Sequence, residues 1–145
     1  MDQHDWLILL LGFKGEAESP ALDPVRVQKG MFLLAQEGDL PTRERYDFEP
    51  YNWGPYSRQV RRDLDRLVAD GYVQTRDVPG YSWKRYGLTA AGVDYARSLL
   101  EVAPKEAAHK VAEIKRRVTG VSFNRLLADV YAGYPDYAVN SLFRS

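Results

Sequence analysis

The chain reads as mainly helical with one small β-hairpin, an α+β arrangement of winged-helix type with a C-terminal helical extension. Three observations point there. Residues 58–70 form a capped, amphipathic, arginine-rich helix. Two β-rich runs, 72–76 and 81–87, follow it across the turn-forming tetrapeptide Asp77-Val78-Pro79-Gly80. Leu88-Thr89-x-x-Gly92 then opens a second capped helix, expected to run to about Val102. A length of 145 residues suits one domain with one core, so 1–145 is taken as a single unit. Within it, 23–102 is expected to form the winged-helix-like core and 103–145 the helical extension.

The remaining elements follow from local chemistry. Residues 5–13 are apolar nearly all round, so a helix there must be buried on most faces. Gly12 and Gly15 end it, and 16–21 reads as a loop. Asp23-Pro24 is a strong helix start, an acceptor side chain at the cap followed by proline in the first turn, with Gly38 as the stop. Gly30 in the middle of that helix lowers its intrinsic stability by about 1 kcal/mol relative to alanine, which suggests close packing against another backbone. Residues 45–49 alternate Tyr46 and Phe48 with charges, the period of a short half-buried strand closed by Pro50 and a turn over 52–55. Ser57 caps 58–70, and Gly71 stops it. Helices are also expected over 105–118, over 123–132 behind the Ser122 cap, and over 137–143 behind Asp136.

Composition excludes several functions. Formal net charge is zero, so no global field draws the molecule to DNA or to anionic lipid. The absence of cysteine removes disulfides and thiolate metal sites, and fits a reducing cytoplasm. The apolar run 6–11 is too short for a membrane span and lacks the flanks of a signal peptide. A soluble cytoplasmic protein without a membrane partner is the expectation. His4 and His109 stand alone, and no phosphate loop, dinucleotide fingerprint or nucleophile elbow occurs. No enzyme, cofactor or metal is therefore expected.

The neutral total hides a polar distribution. Across 57–86 there are seven basic residues (Arg58, Arg61, Arg62, Arg66, Arg76, Lys84, Arg85) against four acidic ones, whereas 1–50 holds five basic and ten acidic residues. A further basic segment, 105–117, carries five basic residues against two acidic. On the helix, Arg58 and Arg62 point away from Val60, Leu64 and Leu67. In helix-turn-helix relatives such a helix enters the major groove while wing residues neutralise phosphates. The seven basic residues are accordingly the candidate nucleic-acid contacts. The plain alternative is a solvated face on which Arg62 and Arg66 pair with Asp63, Asp65 or Asp70 at helical spacing. The connection from the preceding helix is also some twenty residues, far from the tight turn of a standard helix-turn-helix. Nine aromatic residues between Tyr46 and Tyr86 read chiefly as core. Those on the wing, Trp83 above all, are interface candidates.

Several motifs together resemble a known group. Val27-Gln28-Lys29 with Phe32-Leu33-Leu34-Ala35, Tyr46-x-Phe48, Gly54-Pro55-Tyr56-Ser57, Asp70-Gly71-Tyr72-Val73 and Tyr86-x-Leu88-Thr89-x-x-Gly92 are similar to the YwgA-like family of uncharacterised prokaryotic proteins. More distantly they resemble the Panacea antitoxin domain. The resemblance covers most of 23–145, including Val130-Tyr131 and Tyr134-Pro135-Asp136-Tyr137-Ala138. It implies a small cytoplasmic protein, and through Panacea it implies toxin neutralisation and operator binding. Two functions are thus expected as alternatives. One is a winged-helix DNA-binding protein, a small transcriptional regulator. The other is a protein-interaction module, such as an antitoxin or phage-defence accessory, acting through a protein partner or a homodimer.

Overall fold

The computed structural model describes residues 1–12 and 21–142. The loop expected over 16–21 (apart from Ala21), the helix end at Phe13 and Gly15, and Phe143 fall outside them. The described elements run α1 (Gln3–Leu11), α2 (Pro24–Glu37), β1 (Glu49–Tyr51), β2 (Gly54–Tyr56), α3 (Arg58–Ala69), β3 (Val73–Asp77), β4 (Lys84–Leu88), α4 (Ala90–Val102), α5 (Lys105–Thr119) and α6 (Phe123–Gly133). Short 3₁₀ turns lie at Thr42–Glu44 and Pro135–Ala138, the second in place of the last helix expected from the sequence. The fold is mainly α with small antiparallel hairpins, as the sequence predicts.

Helix α1 is the centre of the core. Each of its residues from Trp6 to Leu11 is at most 1% exposed, because helices α2, α3, α4 and α5 surround it. The close approach expected at Gly30 occurs, although the neighbour is a side chain and not backbone. A Cβ on Gly30 would lie 2.8 Å from Leu10 Cδ2 of α1. Trp6 donates its indole N–H to the buried Glu44 carboxylate at 2.9 Å, which fixes the 3₁₀ turn against α1.

Apart from the β1–β2 hairpin between α2 and α3, the order helix, strand, helix, helix, hairpin is that of a winged helix. Its first strand is reduced to Leu22, which exchanges two backbone hydrogen bonds with Tyr86 of β4 (2.9 and 2.8 Å). Strands β3 and β4 pair antiparallel with Thr75 opposite Tyr86 and Arg76 opposite Arg85. The wing loop between them carries Tyr81 and Trp83, so β4 begins three residues later than the β-rich run suggests. The Leu88-Thr89-x-x-Gly92 ending has a steric cause. Thr89 Oγ1 accepts from Gly92 N and donates to Gly71 O at 2.6 Å, latching the start of α4 to the end of α3. A Cβ on Gly92 would meet the Tyr72 carbonyl oxygen at 2.0 Å, so only glycine fits.

The strand expected over 45–49 is displaced. Residues 45–48 have no strand partner, and the ladder forms instead between Glu49–Tyr51 and Gly54–Tyr56. Tyr46 and Phe48 still turn inward, Tyr46 onto α3 and Phe48 edge-on to Phe32 at 5.4 Å. Pro50 faces Pro55 across this ladder, next to the pair that closes a two-residue turn. Alternation of antiparallel hydrogen bonding leaves that pair unbonded, so two prolines without N–H groups are tolerated there.

Helix α5 packs on α1 and α2. Lys115 reaches the C-terminal end of α1 and donates to Leu11 O at 2.7 Å, where a cation is favoured by the helix dipole. Arg26 of α2 donates to Val118 O and Val121 O, each at 2.8 Å. The C-terminal helices are thereby fastened to the rest of the core.

Candidate nucleic-acid interface

Helix α3 starts where it does because Ser57, 1% exposed, accepts from Val60 N through its hydroxyl. A long connection separates α3 from α2, so something other than a tight turn must fix its pose. That device is Gln28. Its side chain accepts from Ser57 N at 2.8 Å and donates to Ser57 O at 3.0 Å, a two-point clamp in a buried setting. One residue on, Lys29 donates to Pro55 O at 3.0 Å, and Gly54 (φ +94°) lies against it. The motifs Val27-Gln28-Lys29 and Gly54-Pro55-Tyr56-Ser57 are therefore the two halves of one joint. The sequence marks both motifs and carries no signal that they meet.

Burial strongly disfavours the charged form of Lys29. Its pKa falls to about 7, with the Asp23 carboxylate only partly opposing the fall. Tyr46 completes the support from the other side, donating its hydroxyl to Asp63 of α3 at 2.7 Å. Burial, then that hydrogen bond, hold the Tyr46 phenol protonated far above its usual range. Replacing Gln28 by leucine leaves the Ser57 N–H buried without its partner, while Ser57 O keeps the helical bond from Arg61 N (3.4 Å). Such a group costs about 1–3 kcal/mol, so Gln28→Leu is expected to destabilise by about 2 kcal/mol in urea denaturation. Unchanged stability would show that the clamp is not needed.

All seven predicted basic residues are exposed. Three of them have acid partners: Arg58 with Glu49 (3.6 Å), Arg61 with Asp65 (3.3 Å) and Lys84 with Asp77 (3.9 Å). Arg62, Arg66, Arg76 and Arg85 make no ion pair among the described residues. The helical pairs offered to Arg62 and Arg66 do not form: Asp63 is engaged by Tyr46 and Asp65 by Arg61, and Asp70 makes no ion pair among the described residues. Arg62 and Arg66 instead line a polar crevice of about 450 Å³ with Arg43, Asp2, Gln3, His4 and Asp63. Arg76 and Arg85 stand directly opposite each other in the hairpin register.

The aromatic residues divide. Tyr46 and Tyr86 are core, whereas Tyr51, Trp53, Tyr81 and Trp83 are exposed. Trp53, Tyr81 and Trp83 join Phe123 at the start of α6 around a cleft of about 620 Å³, floored by Pro24 and Val25. His4, solitary by sequence, is not solitary in space. Among the described residues it brings a ligand atom within 4.8 Å of Asp2 and Asp5, the one set there able to hold a metal ion. Asp5 already accepts from Tyr95 Oη at 2.6 Å and Asp2 N at 2.8 Å.

No protein-family model and no curated protein matches the chain. Among the described residues no helix is long and apolar enough to cross a membrane.

Proposed function

We propose that the protein binds nucleic acid through α3 and the β3–β4 hairpin, in the manner of a small winged-helix DNA-binding regulator. The observation that carries the reading is that four exposed guanidinium groups of α3 and the hairpin, Arg62, Arg66, Arg76 and Arg85, have no acid partner among the described residues, in a chain of zero net charge. Like charges directly opposite on a hairpin destabilise it. The Arg76–Arg85 pair is therefore a local cost that a bound phosphate removes. Of the paired cations, Arg61 and Lys84 stay available, since exposed ion pairs contribute at most about 1 kcal/mol and exchange readily for phosphate.

The pairing also favours one part of α3 over another. Glu49 and Asp47 flank the first turn of α3, and Arg58 is taken up by Glu49. A phosphate there meets carboxylates, so the middle of α3 approaches the backbone and its first turn does not. Fluorescence anisotropy with labelled duplex DNA tests the reading. If the four arginines contact phosphates, log Kd rises linearly with log salt with a slope of about 3.6, about 0.9 per contact. Absence of binding to DNA and RNA at low salt, or binding indifferent to salt, overturns it.

A further inference from the structure

The β1–β2 hairpin is inserted where a standard helix-turn-helix has a short turn, and its tip carries Trp53. The wing loop carries Tyr81 and Trp83, and α6 begins with Phe123. These three separate pieces of chain converge on one cleft of about 620 Å³, a size that suits a small planar group and not a flat protein contact. Tyr81 and Trp83 lie with ring centroids 4.1 Å apart and planes 33° from parallel, one ready-made stack. Trp53 and Phe123, which also line the cleft, meet edge-on at 5.9 Å. Trp53, Tyr81 and Trp83 are 43%, 59% and 43% exposed, so their side chains are accessible to a ligand.

What occupies such a cleft is decided by its charge surroundings. The charged groups on its own wall, Asp23 and Arg26, are paired with each other, so among the described residues the cleft lining offers no free charge. The strand that leaves Trp83 carries Lys84, paired with Asp77, then Arg85, which has no acid partner among the described residues and stands opposite Arg76. A ligand that matches both has a flat uncharged π-face joined to a chain of negative charges. We infer that the aromatic cleft stacks an unpaired nucleobase of a single-stranded segment whose phosphates run along Arg85 and Arg76. The inference rests on the nucleic-acid reading and deepens it. It makes the inserted hairpin part of the binding surface, since the insertion supplies Trp53.

Single-strand binders gain affinity by stacking bases on aromatic side chains beside a cationic track. Loss of one such ring lowers affinity roughly 5- to 150-fold. The experiment compares a labelled short oligothymidylate, a blunt duplex and free thymidine by anisotropy and intrinsic tryptophan quenching. It uses the full chain and its Trp83→Ala and Trp53→Ala variants. The expected result is tight oligothymidylate binding with quenching, weakened at least about fivefold in Trp83→Ala, while duplex affinity stays within about twofold. Because Trp53 and Trp83 are exposed, both variants should remain folded, which circular dichroism confirms before titration. If the duplex binds and the single strand does not, or if both variants leave oligothymidylate affinity unchanged, the stacking inference fails and the nucleic-acid reading stands. If thymidine alone binds as tightly as the oligomer, the cleft is a small-ligand pocket and the inference also fails. If no nucleic acid binds at all, both readings fall.

Discussion

Lys29→Met is expected to make the protein more stable than the wild type at pH 6 and no more stable at pH 9. The amine of Lys29 titrates near pH 7 in the folded chain and at 10.5 when free in water. Below pH 7 both states carry the charge, and the folded state bears the whole cost of burying it. The gap between the two values corresponds to about 5 kcal/mol. Between pH 7 and 10.5 the unfolded chain binds the extra proton, so stability rises with pH by about 1.4 kcal/mol per unit. Methionine removes the charge and the slope together, and leaves the Pro55 carbonyl unpartnered at a cost of about 1–3 kcal/mol. The net expectation is a gain of about 3 kcal/mol at pH 6 that fades to about zero by pH 9. Tyr46 and Tyr95 act in the opposite sense. Their phenols are held protonated above the usual value of 10.0, by burial first and by hydrogen bonds to Asp63 and Asp5 second. The stability they contribute is therefore lost only above pH 10, where the unfolded phenols ionise. The window from pH 6 to 9 isolates Lys29. Urea denaturation of both proteins across it gives the answer, and parallel slopes would show that Lys29 is not the titrating group.

A buried cation this costly persists because of where it sits. Lys29 and Gln28 hold β2 and the residue that caps α3, so the pose of α3 depends on two polar side chains of α2. The pieces of this arrangement are visible in the sequence, and the joint is not. The caps Asp23, Ser57, Thr89 and Ser122 are legible because a helix start is chemistry within three residues. The β3–β4 hairpin is legible for the same reason, from its turn and its alternation. Residues 45–48 mislead because alternation reports which side is buried and not which strand, if any, lies alongside. Tyr46 and Phe48 point inward against helices. The Leu22–Tyr86 bridge leaves no pattern at all, since one residue has no periodicity.

The candidate site is legible in its residues and not in its electrostatics. Helical spacing offers Arg62 and Arg66 several acid partners, but Tyr46, distant in sequence, removes Asp63 from the choice. Glu49, outside the helix, takes Arg58. The reading of the aromatic residues as core holds for those on the inward side of each hairpin. Tips behave differently, because a turn residue has no neighbouring layer to bury it. The convergence of Trp53 with Tyr81, Trp83 and Phe123 is a tertiary fact with no local signature.

Replacing Arg62, Arg66, Arg76 and Arg85 together by alanine should lower affinity for duplex DNA by about three and a half orders of magnitude at about 0.1 M salt. Four phosphate contacts contribute an exponent of about 3.6 in salt concentration, and 0.1 M lies about tenfold below the 1 M reference at which counterion release contributes little. The two halves should separate cleanly. Arg62→Ala/Arg66→Ala and Arg76→Ala/Arg85→Ala should each reduce the salt slope by about 1.8 if both elements face the same duplex. If only one pair changes the slope, that element alone makes the contact, and the other arginines are solvated surface. Net charge must be controlled, because removing four cations from a neutral chain repels DNA wherever they lie. A variant with alanine at Lys105, Arg97, Arg116 and Arg125, all exposed and outside α3 and the hairpin, carries the same change in charge. It should retain most of the affinity and the slope. Equal losses in the two variants would mean that the field of the whole molecule drives binding and that no surface of it is specific.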